Sequence, residues 1–187
     1  LSSQIALSNI LQALLRWISP ILSFTAEEAW QLLNTDTKSV HLLEWFEEWD
    51  EIGELKFSND EWDKILEIRS EVNRHIEEAR NNEIIGSSLE VDLELFCDKD
   101  IKNLLDKFSN ELRFIFITSE AKVSDIGQEG NDSAIQGMRV QVKKTNHQKC
   151  VRCWHSRPEV GIIKGHESIC QRCHDNVIGN GEIRVFA

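Results

Sequence analysis

Four of the five cysteines fall into the pattern Cys150-x2-Cys153-x16-Cys170-x2-Cys173, which constrains the fold more than any other feature of the sequence. Two residues between ligands let one tight turn aim both sulfurs at a single ion, and a tetrahedral metal needs two such turns. The spacing therefore predicts one structural Zn2+ on Cys150, Cys153, Cys170 and Cys173. A pair of disulfides is the rival arrangement, disfavoured in a chain that opens with no basic-then-apolar secretory segment. Four thiolates complete the tetrahedron and leave no open position for an activated water, even with His147, His155, His166 and His174 nearby. The metal is expected to hold structure, and nothing in the module to catalyse. Cys97 stands apart in a strand-like stretch and reads as a small core residue.

Charge is distributed as unevenly as cysteine. The formal net charge is −11, which taken alone argues against nucleic-acid binding. From Met138 onward, however, nine Lys/Arg face only four Asp/Glu, while the first 137 residues hold twelve against 28. Zinc with four thiolates carries −2, so the tail's surplus of five positive charges falls to about three when metallated. An acidic body with a basic tail is the pattern expected where one end meets a polyanion. No apolar run approaches the ~18–20 residues of a membrane span.

The chain opens inside a helical pattern (Ile5, Leu7, Ile10, Leu11, Leu14, Leu15, Ile18), as a piece of a longer protein would. Ser19-Pro20 should stop that helix near residue 18. Thr25 and Glu28 have capping-box spacing and should start a second helix, with Phe24 stapled onto Ala29. Residues 34–57 lose periodicity; Trp45, Phe46, Trp49 and Phe57 there are expected to pin a loop onto helices. Ser58 and Glu61 repeat the capping box and open a long helix over about 60–83, buried through Trp62, Ile65, Leu66, Ile68, Val72, Ile76 and Ala79 and ended by Gly86. Leu89, Val91, Leu93 and Leu95 alternate with acids as a half-buried strand. A short helix follows (Ile101, Leu104, Leu105, Phe108), then a strand-like run Phe114–Ile117, a polar connection over 127–136, and a last strand through Met138, Val140 and Val142. The expected fold is α+β in three parts: a helical bundle remnant over 1–57, a small α+β unit over 58–145, and a four-cysteine zinc ribbon over 146–187.

Phosphate-cradling G-x-x-x-x-G-K-[ST] and strand-borne G-x-G-x-x-G motifs are absent, as are H-E-x-x-H and G-x-S-x-G. Arg152 and Arg172 sit inside the knuckles, where their charge can offset the thiolates. Trp154 follows the first knuckle and is either core of a tiny module or an exposed face on which an unpaired base can stack.

Cys150-Val-Arg-Cys-Trp-His155, Ile169-Cys-Gln-Arg-Cys173 and Gly179-Asn-Gly-Glu182 through Phe186-Ala187 closely resemble the C-terminal zinc module of bacterial isoleucyl-tRNA synthetases. Ile18-Ser-Pro-Ile-Leu-Ser-Phe-Thr-Ala-Glu-Glu-Ala-Trp30 resembles the helical anticodon-binding domain of the same class I enzymes, and Glu67–Asn73 with Gly86–Glu90 the segment between. The resemblance runs nearly end to end in one order. It implies a parent enzyme that joins isoleucine to tRNA-Ile with ATP, cytoplasmic and monomeric, with no membrane or DNA partner. The family's His-x-Gly-His and Lys-Met-Ser-Lys-Ser signatures are missing, so this chain alone is expected to be inactive, and ATP would bind only to an upstream catalytic domain. By resemblance, Arg152 and Trp154 read the anticodon end, while Lys143 and Lys164 add charge without regard to sequence. A DNA-repair glycosylase zinc finger shares the four-cysteine ribbon but leaves residues 18–30 and 67–95 unexplained. A module that only buttresses the synthetase is the third reading.

Overall fold

The computed structural model describes residues 2–33, 38–47 and 57–182. Contacts divide the chain into two compact units, Leu1–Lys56 and Phe57–Ala187.

The first unit holds helix α1 (Ser2–Ile18), helix α2 (Ser23–Gln31) and a 3-10 turn at Val40–Leu42. Its core is Leu15, Ala26, Trp30 and Val40, with the Arg16 guanidinium 5.3 Å from the Trp30 ring centroid and 5.1 Å from that of Phe46. The Glu27 carboxylate ties the turn to α2 by accepting from Ser39 Oγ and the Val40 N–H. Much of the α1 apolar stripe (Ile5, Leu7, Ile10, Leu11, Leu14) is exposed. The expected cap at Thr25 does not form. Helix α2 begins two residues earlier because Ile21 and Leu22 already donate to the Ile18 carbonyl and carry the chain round the proline turn. Phe24, the proposed staple, is 93% exposed. Phe46 is buried as expected, but Trp45 is exposed; Trp49 lies outside the described residues.

In the second unit, helix α3 (Asn59–Asn81) starts at a complete capping box: Glu61 N–H donates to Ser58 Oγ, and Ser58 N–H donates to the Glu61 carboxylate at 2.9 Å. Ile65, Ile68, Val72, Ile76 and Ala79 are buried, whereas Trp62 and Leu66 turn outward from the stripe assigned to them. The stripe also contains two polar residues, Glu71 and His75, both buried. Helix α3 ends before Gly86. Glu83 adopts φ 57°, and Glu83 and Ile84 donate back to Arg80 and Ala79, closing a Schellman motif without glycine.

Strand β1 (Val91–Cys97), helix α4 (Lys99–Asp106), helix α5 (Leu112–Phe116), and strands β2 (Glu120–Asp125), β3 (Asn131–Asp132) and β4 (Met138–Lys144) follow. The sheet order is β2-β1-β4-β3, with β1 parallel to β2 and antiparallel to β4. The β1–β4 register pairs Leu93 with Val142, Leu95 with Val140 and Cys97 with Met138. Together with α3 and Phe108 these residues form one core; Phe57 stacks on Phe108 with ring centroids 4.4 Å apart. Phe114–Ile117, expected as strand, is the end of a helix instead. The run has no polar alternation, and Leu112 and Phe116, one helical turn apart, are the residues that become buried. Ile117 then takes φ 55° and stops the helix. The strand lies just beyond, in Glu120–Asp125, whose weak alternation hid it. Cys97 is buried as expected, and burial pushes its thiol up to about 12.

Candidate metal centre and nucleic-acid surface

The four-cysteine segment is built from two dissimilar knuckles. In the first, Trp154 N–H donates to the Cys150 carbonyl and Cys150 N–H to that of His155, each at 2.9 Å, while Lys149 and Ser156 pair as a single antiparallel bridge. In the second, Cys170 precedes helix α6 (Gln171–Val177) and Cys173 lies on its first turn. The segment is anchored to the sheet. Ser156 N–H donates to Ser119 Oγ, and Arg157 Nη1 donates to the Ser119 carbonyl and, at 2.6 Å, to the Glu120 carboxylate.

These turns bring Cys150, Cys153, Cys170 and Cys173 together, with all four sulfurs within 4.8 Å of one another and three of the residues fully buried. Cys150 and Cys173 sulfurs stand 3.7 Å apart, Cys153 and Cys170 sulfurs 3.6 Å apart. A tetrahedron with ~2.3 Å zinc–sulfur bonds has edges of about 3.8 Å, so the cluster is sized for Zn2+. The four crowded thiols do not ionise alike. Burial opposes ionisation of Cys150, yet backbone N–H groups of Cys153, Cys170 and Arg152 bring its thiol down to about 6. Burial, with the Cys150 and Cys173 sulfurs beside it, pushes Cys153 well above the usual thiol range, and burial also raises Cys170. A central dication removes that crowding and lets all four ionise.

Arg152 and Trp154 both lie on the first knuckle. Arg152 is exposed, and its Nη1 donates to the Cys173 sulfur at 3.6 Å, the thiolate-offsetting role. Trp154 is 60% exposed, in a left-handed conformation at φ 66°, with Lys149 Nζ 5.4 Å from its ring centroid. Lys149 was not singled out by the sequence; its place immediately before Cys150, on the knuckle's flank, is the signal that could have found it. The other two basic candidates lie elsewhere. Lys143 is on β4 opposite Asp92 and lines a polar cavity with Glu94, Glu120, Lys122 and His147, where three carboxylates stand against two lysines. Lys164 is exposed next to Gly165, at φ +81°. Arg172 forms an ion pair with Glu182 at 2.7 Å and lies over Phe114, a role that spacing could not show.

Residues 2–95, half of the chain, match the anticodon-binding domain of tRNA ligase, and the chain belongs to that family. Residues 148–176 match the zinc finger found in FPG and IleRS. Over its whole length the chain is 42% identical to the isoleucine–tRNA ligase of Shewanella sp. (strain MR-7), and 41% identical to those of Haemophilus influenzae (strain 86-028NP) and Ruthia magnifica. It spans about a fifth of the length of these curated relatives, 20%, 21% and 20% respectively. The zinc-finger match and the cluster together support a structural zinc. Among the described residues no helix is long and apolar enough to cross a membrane.

Proposed function

We propose that the chain is the tRNA-binding tail of an isoleucine–tRNA ligase, the ATP-dependent enzyme that attaches isoleucine to tRNA-Ile in the cytoplasm. The reading rests on one observation above all. Two family matches, one anticodon-binding and one zinc-finger, fall in order on the same chain. In this reading Cys150, Cys153, Cys170 and Cys173 hold one zinc ion, and residues 146–187 act as a module docked on the α+β part. The metal holds the first knuckle, which presents Trp154 as a stacking face for an unpaired base of the anticodon loop. Arg152, Lys149 and Lys164 add attraction for the phosphate backbone, and Lys143, facing acids, adds least. The chain works as a monomer and carries no adenylate-forming chemistry of its own.

Arg152 has a second reading, favoured by its contact with the Cys173 sulfur: it stabilises the metal site and touches RNA little. Fluorescence anisotropy with tRNA-Ile and a non-cognate tRNA over a salt series, with zinc measured on every sample, tests both. Trp154→Ala should retain zinc and lose about 1–3 kcal/mol of tRNA-Ile binding. Arg152→Ala should flatten the salt slope if it meets phosphate, and lose zinc if it serves the metal. Intact zinc with unchanged affinity in Trp154→Ala overturns the stacking role. No low-salt binding of tRNA-Ile by the zinc-loaded chain overturns the whole reading.

A further inference from the structure

Between α5 and the four-cysteine segment lies a cavity of about 220 Å³ that abuts the metal cluster through Cys153 and Cys170 but includes neither Arg152 nor Trp154 in its lining. Its walls include Phe114 and His155, whose rings meet edge to face at 6.0 Å, and the guanidiniums of Arg113 and Arg172, at 4.8 and 5.0 Å from the Phe114 centroid. Two polar atoms of its lining residues, Arg113 Nε and Glu159 Oε2, are buried without a hydrogen-bond partner among the described residues. One is a donor and the other an acceptor. Burying either without a partner costs about 1–3 kcal/mol, which a ligand that meets both would relieve.

The charge around these atoms selects the ligand. Arg157 is paired with Glu120 and, at 3.4 Å, with Glu159 Oε1, and Arg172 with Glu182, so two of the three nearby cations are already satisfied and only the second oxygen of Glu159 is left open. Asp175 and the partly exposed Glu159 also line the cavity. A phosphate would meet one open cation and several carboxylates, which disfavours it. A flat neutral group carrying both an acceptor and a donor on one edge fits better: it takes a hydrogen bond from Arg113 and gives one to Glu159. Every nucleobase has such an edge, and aromatic and guanidinium surfaces are what unstacked RNA bases lie against. The volume is below the ~300–1,000 Å³ of drug-sized sites, room for one base and not a stacked pair.

We propose that this cavity holds a single unpaired RNA base, gripped by Arg113 and Glu159 and walled by Phe114, His155 and Arg172. The site rests on the tRNA-binding reading and extends it to a second point of contact, away from Trp154. Because Arg113 and Glu159 come from different parts of the unit, the cavity exists only when the zinc segment is docked on the sheet through Ser156 and Arg157.

The test is an NMR titration of the zinc-loaded full chain with the four nucleoside 5′-monophosphates, ribose 5-phosphate, inorganic phosphate and N-acetylglycinamide, observing the Arg113 Nε, Phe114 and His155 signals. At least one nucleotide should shift these signals saturably, with Kd of about 1 mM, while the three base-free probes leave them in place. Glu159→Gln keeps the size of the side chain but strips the charge that assists the hydrogen bond, and should weaken that nucleotide about ten-fold, as should Arg113→Ala, which removes the donor outright. Both variants should keep one zinc per chain. Equal shifts with ribose 5-phosphate, phosphate or the amide, or no shift with any nucleotide, overturn the proposal. So does full nucleotide affinity in Glu159→Gln. If tRNA-Ile binds the same preparation while the cavity fails these tests, only the base site falls; if neither binds, the tRNA-binding reading falls with it.

Discussion

Removing the metal should unfold the four-cysteine segment while sparing the sheet it docks on. The apolar core of that segment is small: besides the cysteines, among the described residues only Val160 is a buried hydrophobic, with Ile169 packed against it in part. Two aliphatic side chains supply about 1.5–3 kcal/mol each at full burial. A structural zinc in a peptide of this kind supplies about 10–16 kcal/mol. The ion is thus the largest stabilising contribution to the knuckles, several times the apolar one. The four sulfurs would otherwise be left as crowded, partly protonated thiols. Cys170→Ala removes one ligand, at the residue from which α6 starts. In hydrogen exchange, a chelator or Cys170→Ala should abolish protection of amides from Cys150 to Val177. Amides of β1 and β4, whose core contacts are Leu93, Leu95 and Val140, should keep theirs. At the junction, Ser119 and Glu120 lose their Ser156 and Arg157 partners and should show intermediate behaviour. Unchanged protection in the knuckles after complete metal removal would refute the reasoning, as would a zinc content far from one per chain.

Acid should destabilise the second unit through Glu71. Its carboxyl is held at about 2, against an ordinary 4.5, chiefly by the hydrogen bond from Arg74, against the opposing effect of burial, and then by the Ala134 N–H. A depressed folded-state value means that this stabilisation is complete above about pH 4.5 and fades as pH falls from there toward 2. With Arg74 half exposed and screened, the contribution is about 1–2 kcal/mol, and urea midpoints against pH should show a shallower acid limb in Glu71→Gln; identical limbs would refute it. Gly137→Ala should cost about 2–3 kcal/mol, since Gly137 has φ +83° and an added Cβ would run into the Asp98 carboxylate that caps α4; a urea-derived change under about 0.5 kcal/mol would refute that.

How far the sequence revealed the fold depended on whether a pattern was closed by local geometry or by distant partners. Ser58-x-x-Glu61 and Thr25-x-x-Glu28 are the same signal, but only the first became a cap. Ser58 is itself extended, at φ −72° and ψ 165°, whereas Thr25 is already inside a helix begun by the turn after Pro20. The strand β1 was legible because its alternating Leu and acid residues match a sheet with one buried face. Strand β2 was not, because its residues are only half buried and it is paired through a parallel crossover that no local pattern records. Glu71 and His75 were invisible as core for a related reason. Charged types count as surface until an Arg74 beside them and a backbone N–H from Ala134 make burial tolerable. At the site, the ligand spacing was fully legible, since two local turns carry it. The cavity at Arg113 was not, since its walls are assembled from α5, the first knuckle and α6.

In the proposed reading, Trp154 links the metal to recognition. A bulky residue at φ 66° is held in a conformation that costs an ordinary side chain about 1–2 kcal/mol, and such strain persists only where the surroundings over-determine it. Here the surroundings are the knuckle itself: the Trp154 N–H bond to Cys150, the neighbouring Cys153, and the Lys149 cation beside the ring. A solvent-exposed indole gains little from being fixed in this way if it only fills a core. Fixed and exposed, it would serve the proposed role as a preorganised stacking face whose ordering cost is met when zinc binds and not when RNA does. Binding of RNA and of zinc should therefore be coupled. Releasing the metal should weaken tRNA-Ile at least as much as Trp154→Ala does, because it frees the indole and the Arg152 that donates to Cys173 together.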